Sequence, residues 1–261
     1  MSLLRIAICQ VENRVDIDAN RDEALKFLRR VAPSKPDLVL FPECFLTGFS
    51  AAVRQSDFSR VQTALFDIRA LAEEIGCEVL LPSALKTSQG YLNSGFHLRP
   101  GRDPSLFFKE SLTESEVQFF TPGKNSARHF SIKGYWLALL ICKEASDPAW
   151  SLLDPMLPPD AILWPAYWGW DQEVQWDGRL EGLAGEIRAN MAEWKSPLIQ
   201  ATFSSNHGSD DRASGPSGRS VAVDSSNELR FSAKAGEPDC FVVELTRDAN
   251  GSSRISNCYS A

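Results

Sequence analysis

The chain has 261 residues, of which 43% are hydrophobic and 23% charged, with 27 basic against 34 acidic side chains and a formal charge of −7. That balance suits a folded protein with an ample core and excludes a disordered chain. The acidic surplus and the lack of a basic stripe count against nucleic acid as a partner. No run approaches the roughly 18 apolar residues of a membrane span.

In chain order, residues 5–11 read as a buried strand rather than a leader, so the protein is expected to be cytoplasmic. Residues 20–32 follow as a helix, with Leu25, Leu28 and Val31 at helical spacing and Pro33 and Pro36 as stops. Residues 37–41 form a short strand that ends at Pro42 and Glu43. A second amphipathic helix spans 59–75, with Val61, Leu65, Ile68, Leu71, Ala72 and Ile75 on one face and Gly76 as its C′ residue. A strand at 78–82 completes a β-α-β-α-β order, which points to an α/β layered domain.

The middle of the chain changes to short strands at 91–99, 105–109, 129–132 and 135–142, joined by Gly/Pro turns. A helix is predicted to start near Ser146, and a strand follows at 160–165. Leu180, Leu183, Ala184, Ile187, Met191 and Trp194 define the best helix, over 176–195. Strands at 198–203, 220–223, 229–233 and 241–245 follow, interrupted by a long polar loop over 204–218. One domain over 1–261, with two sheets faced by helices, is the expected organisation.

The chemistry is narrowed by what is scarce. Six cysteines (9, 44, 77, 142, 240 and 258) are widely spaced, no CxxC pair exists, and the three histidines do not sit at metal-ligand spacing. Reduced thiols and no bound metal are therefore expected. Ser–His and Cys–His enzymes would be poorly supplied with bases. No nucleophile-elbow, phosphate-loop or dinucleotide motif is present. What stands out is Glu43, Lys109 and Cys142, each ending an apolar strand, where α/β sheets gather reactive groups. Each alone reads as a surface charge or a core thiol. Together they suit covalent chemistry on a carbonyl or nitrile carbon, with a thiol nucleophile, a carboxylate base and an ammonium to meet the developing anion.

Phe41-Pro-Glu43, Phe108-Lys109 with Glu116 and Pro122-Gly123, and Leu140-Ile-Cys142-Lys-Glu144 resemble the three blocks of the nitrilase superfamily of carbon–nitrogen hydrolases, amidase-like branch. Tyr91-Leu-Asn93-Ser, Ile162-Leu-Trp-Pro165 and Gly215-Pro-Ser-Gly-Arg-Ser220 are similar to its secondary landmarks, so the resemblance covers about residues 4–246. It implies an α/β fold, the four-layer α-β-β-α sandwich of nitrilases, paired into a homodimer or higher homo-oligomer. It implies Cys142 as nucleophile, Glu43 as general base, Lys109 as oxyanion stabiliser and Glu116 as the additional glutamate. Glu110 and Glu114 compete for that last role, and the spacing to Pro122 favours Glu116. It also implies an oxyanion contact from the Lys143 backbone and no cofactor.

Two departures bear on the substrate. Phe107-Phe108-Lys109 stands where many members have Tyr-Arg-Lys, and Cys142-Lys-Glu144-Ala-Ser-Asp147-Pro148 lacks the usual Phe and final Glu of that turn. Phe49 and the Tyr167-Trp168-Gly169-Trp170 run are candidates for the pocket wall; core or interface packing is the competing role for the aromatics. The implied activity is hydrolysis of a small amide or carbamoyl compound through a thioester. Nitrile hydrolysis, acyl transfer on the same triad, or a silent amidase-like binding module are the alternatives.

Overall fold

The structure is a computed structural model that describes residues 2–124, 128–146, 158–167, 187, 189, 194–206, 218–249 and 251–261. β1 (Leu4–Asn13) is buried almost throughout because both of its faces are covered, and its run Ile6–Cys9 is apolar. Ile6 and Ile8 join the core between the two sheets, while Ala7, Cys9 and Val11 join the core under the helices. The same period-2 division sends Leu38 and Leu40 of β2 (Leu38–Leu40) inward and Val39 toward the helices.

α1 (Ile17–Val31) starts three residues before the expected Asn20, because Asp16 caps it by accepting from the Ala19 N–H at 3.0 Å. Asn20 is instead a buried helical residue whose amide donates to Arg14 O and Leu46 O at 2.8 and 3.1 Å. α2 (Ser59–Ile75) has the predicted bounds, and Gly76 ends it in the left-handed conformation at φ 79°. β3 (Glu78–Thr87) runs past the expected stop at Pro82. Pro82 sits opposite Gly95 of β4 (Gly90–Leu98), and a Cβ on Gly95 would lie 2.2 Å from the Phe107 ring. The missing side chain lets that ring close over the Pro82 position.

The remaining strands are β5 (Ser105–Phe108), β6 (His129–Ile132), β7 (Tyr135–Leu139), β8 (Ala161–Pro165), β9 (Leu198–Ala201), β10 (Phe203–Asn206), β11 (Val221–Val223), β12 (Leu229–Ser232), β13 (Asp239–Arg247) and β14 (Ser253–Ser260). Among the described residues one sheet has the order β14-β13-β1-β2-β3-β4-β5 with β10 also on β1, and the other β12-β11-β9-β8-β7-β6. The single strand expected at 198–203 is two strands: the chain breaks at Thr202 and passes from one sheet to the other, with Thr202 N held by Ser220 Oγ at 3.0 Å. The strand expected at 135–142 ends at Leu139, and β14 was not expected.

Leu80 and Phe107 of the first sheet and Leu137 and Leu139 of the second share the inter-sheet core, and Phe27, Leu28, Val61 and Ile68 of α1 and α2 cover the first sheet's outer face. Helical Ile187 and Trp194 are buried in the core that includes the second sheet. This is the α-β-β-α sandwich expected for a nitrilase-like chain. The loop expected over 204–218 starts later, because residues 204–206 belong to β10. Its residues 207–217, most of the predicted 176–195 helix, the helix expected near Ser146 beyond residue 146, Trp168 and Trp170 lie outside the described residues. No described helix is long and apolar enough to cross a membrane.

Candidate active site

Glu43 follows β2 in a tight turn in which Phe45 N donates to Pro42 O and Gly48 N to Phe45 O. The turn is fastened to β3 twice: Leu46 N donates to Pro82 O at 3.0 Å, and Ala84 N to Thr47 Oγ1 at 2.9 Å. Gly48, at φ 77°, closes it against β1's end; a Cβ there would sit 2.2 Å from Arg14 O, so the loop needs glycine for both reasons.

Lys109 leaves β5 beside β4, its N–H on Asn93 O at 2.8 Å, and its own carbonyl accepts from Gly123 N at 2.8 Å. A side chain on Gly123 would meet Phe108 Cβ at 2.3 Å, which gives the Pro122-Gly123 landmark a packing reason. Glu116 opens a 3₁₀ turn (Glu116–Gln118) and exchanges bonds with Thr113: Thr113 N donates to Glu116 Oε2 at 2.8 Å, and Glu116 N donates to Thr113 Oγ1 at 3.2 Å. Cys142 starts the 3₁₀ turn Cys142–Ala145 in a left-handed conformation, φ 47°, that is unusual for a non-glycine residue, and Trp164 Nε1 holds its carbonyl at 2.8 Å.

These elements converge. Lys109 Nζ donates to Glu43 Oε1 at 2.7 Å and to both Glu116 oxygens at 2.8 Å, and Glu43, Lys109 and Glu116 are each fully buried. The backbone of Tyr167, just past β8, links Glu43 to Cys142: its N–H donates to Glu43 Oε2 at 2.8 Å, and its carbonyl lies 3.8 Å from Cys142 Sγ. Asn93 Nδ2 reaches Glu43 Oε1 at 2.7 Å and Glu116 Oε1 at 2.9 Å.

One ammonium thus faces two carboxylates in a dry site. Burial raises the Glu43 carboxyl above its ordinary value, the Glu116 charge adds to this, and Lys109 and Asn93 oppose it. Burial would lower the Lys109 ammonium, but Glu43, Cys142 and Glu116 outweigh it and hold Lys109 protonated. Burial and then Glu43 push the Cys142 thiol well up. These influences favour the protonated thiol at Cys142.

A second buried pair braces the site. The Glu144 carboxylate accepts from Ile141 N at 2.8 Å, Glu110 N at 2.7 Å, Ser111 N at 3.3 Å and both terminal nitrogens of Arg128. Arg128 Nη2 also donates to Phe108 O at 3.2 Å. One ion pair therefore grips the residue before Cys142 and both flanks of Lys109.

Of the residues read from sequence, Glu43 and Glu116 both contact Lys109, and Cys142 is linked to Glu43 through Tyr167. Phe49 and Tyr167 stack at 4.4 Å between ring centroids, and Phe119 and Phe120 pack on Phe49 at 6.2 and 6.4 Å. The Lys143 ammonium donates to Leu112 O at 3.3 Å. Trp168 falls outside the described residues. Sequence reasoning gave no site role to Asn93, Cys44, Arg128, Phe119 or Phe120. Asn93 was visible as a strand landmark, and Glu144 as an acid two residues after Cys142; nothing local marks Arg128 as its partner. Among the described residues no cluster of His, Cys, Asp or Glu is arranged to hold a metal ion.

Known proteins resemble this chain in sequence and in fold. A "Nitrilase" of Pyrococcus abyssi is 24% identical over 173 residues, covering 63% of this chain and 65% of the relative. Two solved structures share the fold at low identity. Glutamine-dependent NAD+ synthetase from Acinetobacter baumannii has a TM-score of 0.80 at 17% identity, covering 100% of this chain. An amidase from Nesterenkonia sp. AN1, with acrylamide added at its active-site cysteine, has a TM-score of 0.75 at 20% identity, covering 92% of each chain. The chain spans about two thirds of the nitrilase and 48% of the synthetase. The sequence profile described as Carbon-nitrogen hydrolase matches residues 5–148, more than half of the chain, and the protein belongs to that family.

Proposed function

We propose that this is an amidase-type hydrolase that cleaves a non-peptide C–N bond of a small amide or carbamoyl compound through a thioester on Cys142. The reading treats residues 1–261 as one catalytic domain, acting in the cytoplasm as a homodimer or larger homo-oligomer. The observation that carries it is Lys109 Nζ held between Glu43 and Glu116, with Glu43 and Cys142 on the two polar groups of one residue, Tyr167.

Glu43 takes the Cys142 proton as sulfur attacks the carbonyl carbon. Positioned proton transfer of this kind is worth about 10²–10⁴-fold. The oxyanion forms toward Lys109 Nζ and the backbone N–H of Lys143. An ammonium has three donors, and the two-oxygen contact with Glu116 can be held by one of them. That leaves one donor for Glu43 and one for the oxyanion, and such a donor contributes on the order of 3–4 kcal/mol. As the tetrahedral species collapses, the C–N bond breaks and Glu43 returns the proton to the leaving ammonia or amine. Water then attacks the thioester, giving a proton to Glu43. The C–S bond breaks, the acid departs, and the proton goes back to sulfur. Glu116 helps keep Lys109 charged and aimed. Phe49 and Tyr167, stacked on each other, form an apolar wall for the acyl group.

The amidase relative favours an amide over a nitrile. An ammonia-release panel of aliphatic and aromatic amides, ω-amides, N-carbamoyl compounds and nitriles tests this. At least one amide or carbamoyl compound is expected to turn over about tenfold faster than any nitrile. Turnover of nitriles alone would reassign the reaction, and no turnover at all would favour a silent binding module.

A further inference from the structure

Asn93 occupies a position that the proposed chemistry does not yet use. It lies on β4, fully buried, one residue before the Ser94–Phe108 pair, so the backbone itself brings it beside Lys109. Its side-chain nitrogen carries two protons, and the two acceptors within reach are Glu43 Oε1 at 2.7 Å and Glu116 Oε1 at 2.9 Å. Its oxygen faces the other way and accepts from Cys44 Sγ at 3.3 Å. A flipped amide would set that oxygen against two carboxylates, so the Cys44 thiol and the acid pair select the same orientation. Burial, with Glu43 next to it, keeps the Cys44 thiol protonated and therefore a donor.

We infer that Asn93, oriented by the Cys44 thiol, is a positioning residue that sets the basicity of Glu43. The inference rests on reading Glu43 as the general base. The groups facing Glu43 are Lys109 after β5, Glu116 in its 3₁₀ turn, Cys142 after β7, the Tyr167 N–H after β8, and Cys44 in its own turn. Lys109 and Asn93 both favour the ionised form, whereas Glu116 and burial disfavour it. Asn93 adds donors without adding charge, so it favours the ionised form of Glu43 and leaves the carboxylate able to take a proton. A hydrogen bond to a carboxylate is among the stronger kinds, and losing it moves the Glu43 carboxyl to higher pKa.

The test is the pH profile of kcat/KM with the fastest amide of the panel. In Asn93→Ala the acid limb is expected to move up by about one pH unit, with most of the loss at pH 6 recovered on the alkaline side. Cys44→Ala moves the limb the same way by less, and Cys44→Ser, which keeps a donor, moves it less than Cys44→Ala. A loss in Asn93→Ala that is uniform across pH would overturn the inference, as would equal limbs for the two Cys44 variants if Asn93→Ala does not fold. Failure of the underlying reading looks different: the wild-type acid limb would not respond to Glu43→Asp.

Discussion

Lys109→Met is expected to lower stability by roughly 3–5 kcal/mol at neutral pH, the range found when one partner of a buried ion pair is removed. Lys109 is the counter-charge for both Glu43 and Glu116, all three side chains are buried, and Met fills similar volume without charge. The two carboxylates are then left to each other, and the Glu43 carboxyl, already raised by burial, is pushed further above its ordinary value of about 4.3. The native state holds more protons than the unfolded chain between that value and the raised one. Stability therefore falls as pH rises through this window, and the deficit against wild type is larger at pH 8 than at pH 5. Urea unfolding at the two pH values measures it; equal deficits would show that the carboxylates do not depend on Lys109. Activity falls by at least about 10³-fold, from the lost oxyanion donor and the displaced base.

Glu144→Ala has the second largest expected effect, and its cause is separate. It leaves the Arg128 guanidinium buried without its carboxylate and strips an acceptor from Ile141 N, Glu110 N and Ser111 N. A cost of about 3–5 kcal/mol is expected for the abandoned charge. The nucleophile turn and the Lys109 segment lose their shared anchor, and a displacement near 1 Å costs on the order of 10²-fold in rate. Glu144→Gln keeps an oxygen for the backbone donors and is expected to lose less of both. Urea midpoints and kcat/KM for the two variants check this; equal effects from Ala and Gln would mean the backbone contacts carry nothing.

The parts of the site legible in the sequence were those announced by chain geometry. Glu43, Lys109 and Cys142 each end an apolar run, and a run of that kind delivers its terminal residue to the carboxyl end of a strand. Glu116 was legible only through its distance from Pro122-Gly123, and the Gly123 contact with Phe108 shows why that turn is so constrained. Arg128 stayed hidden as the partner of Glu144 because their pairing joins the start of β6 to the turn after β7, and no periodicity reports a contact of that kind. In the fold, β14 was illegible because an edge strand with one buried side chain, Ile255, has no hydrophobic alternation to read. The break at Thr202 was missed because Leu198-Ile-Gln-Ala-Thr-Phe203 contains no Gly or Pro; the switch between sheets is made by the Ser220 hydroxyl, 18 residues away.

The central claim is that Cys142 carries the acyl group. Acid quenching of the enzyme during turnover of its fastest amide, followed by peptide mass spectrometry, tests it most directly. The account predicts a mass gain equal to the amide minus ammonia, or minus the leaving amine, on the peptide containing Cys142, and none in Cys142→Ala. An adduct on another residue, or turnover by Cys142→Ala at the wild-type rate, would contradict it.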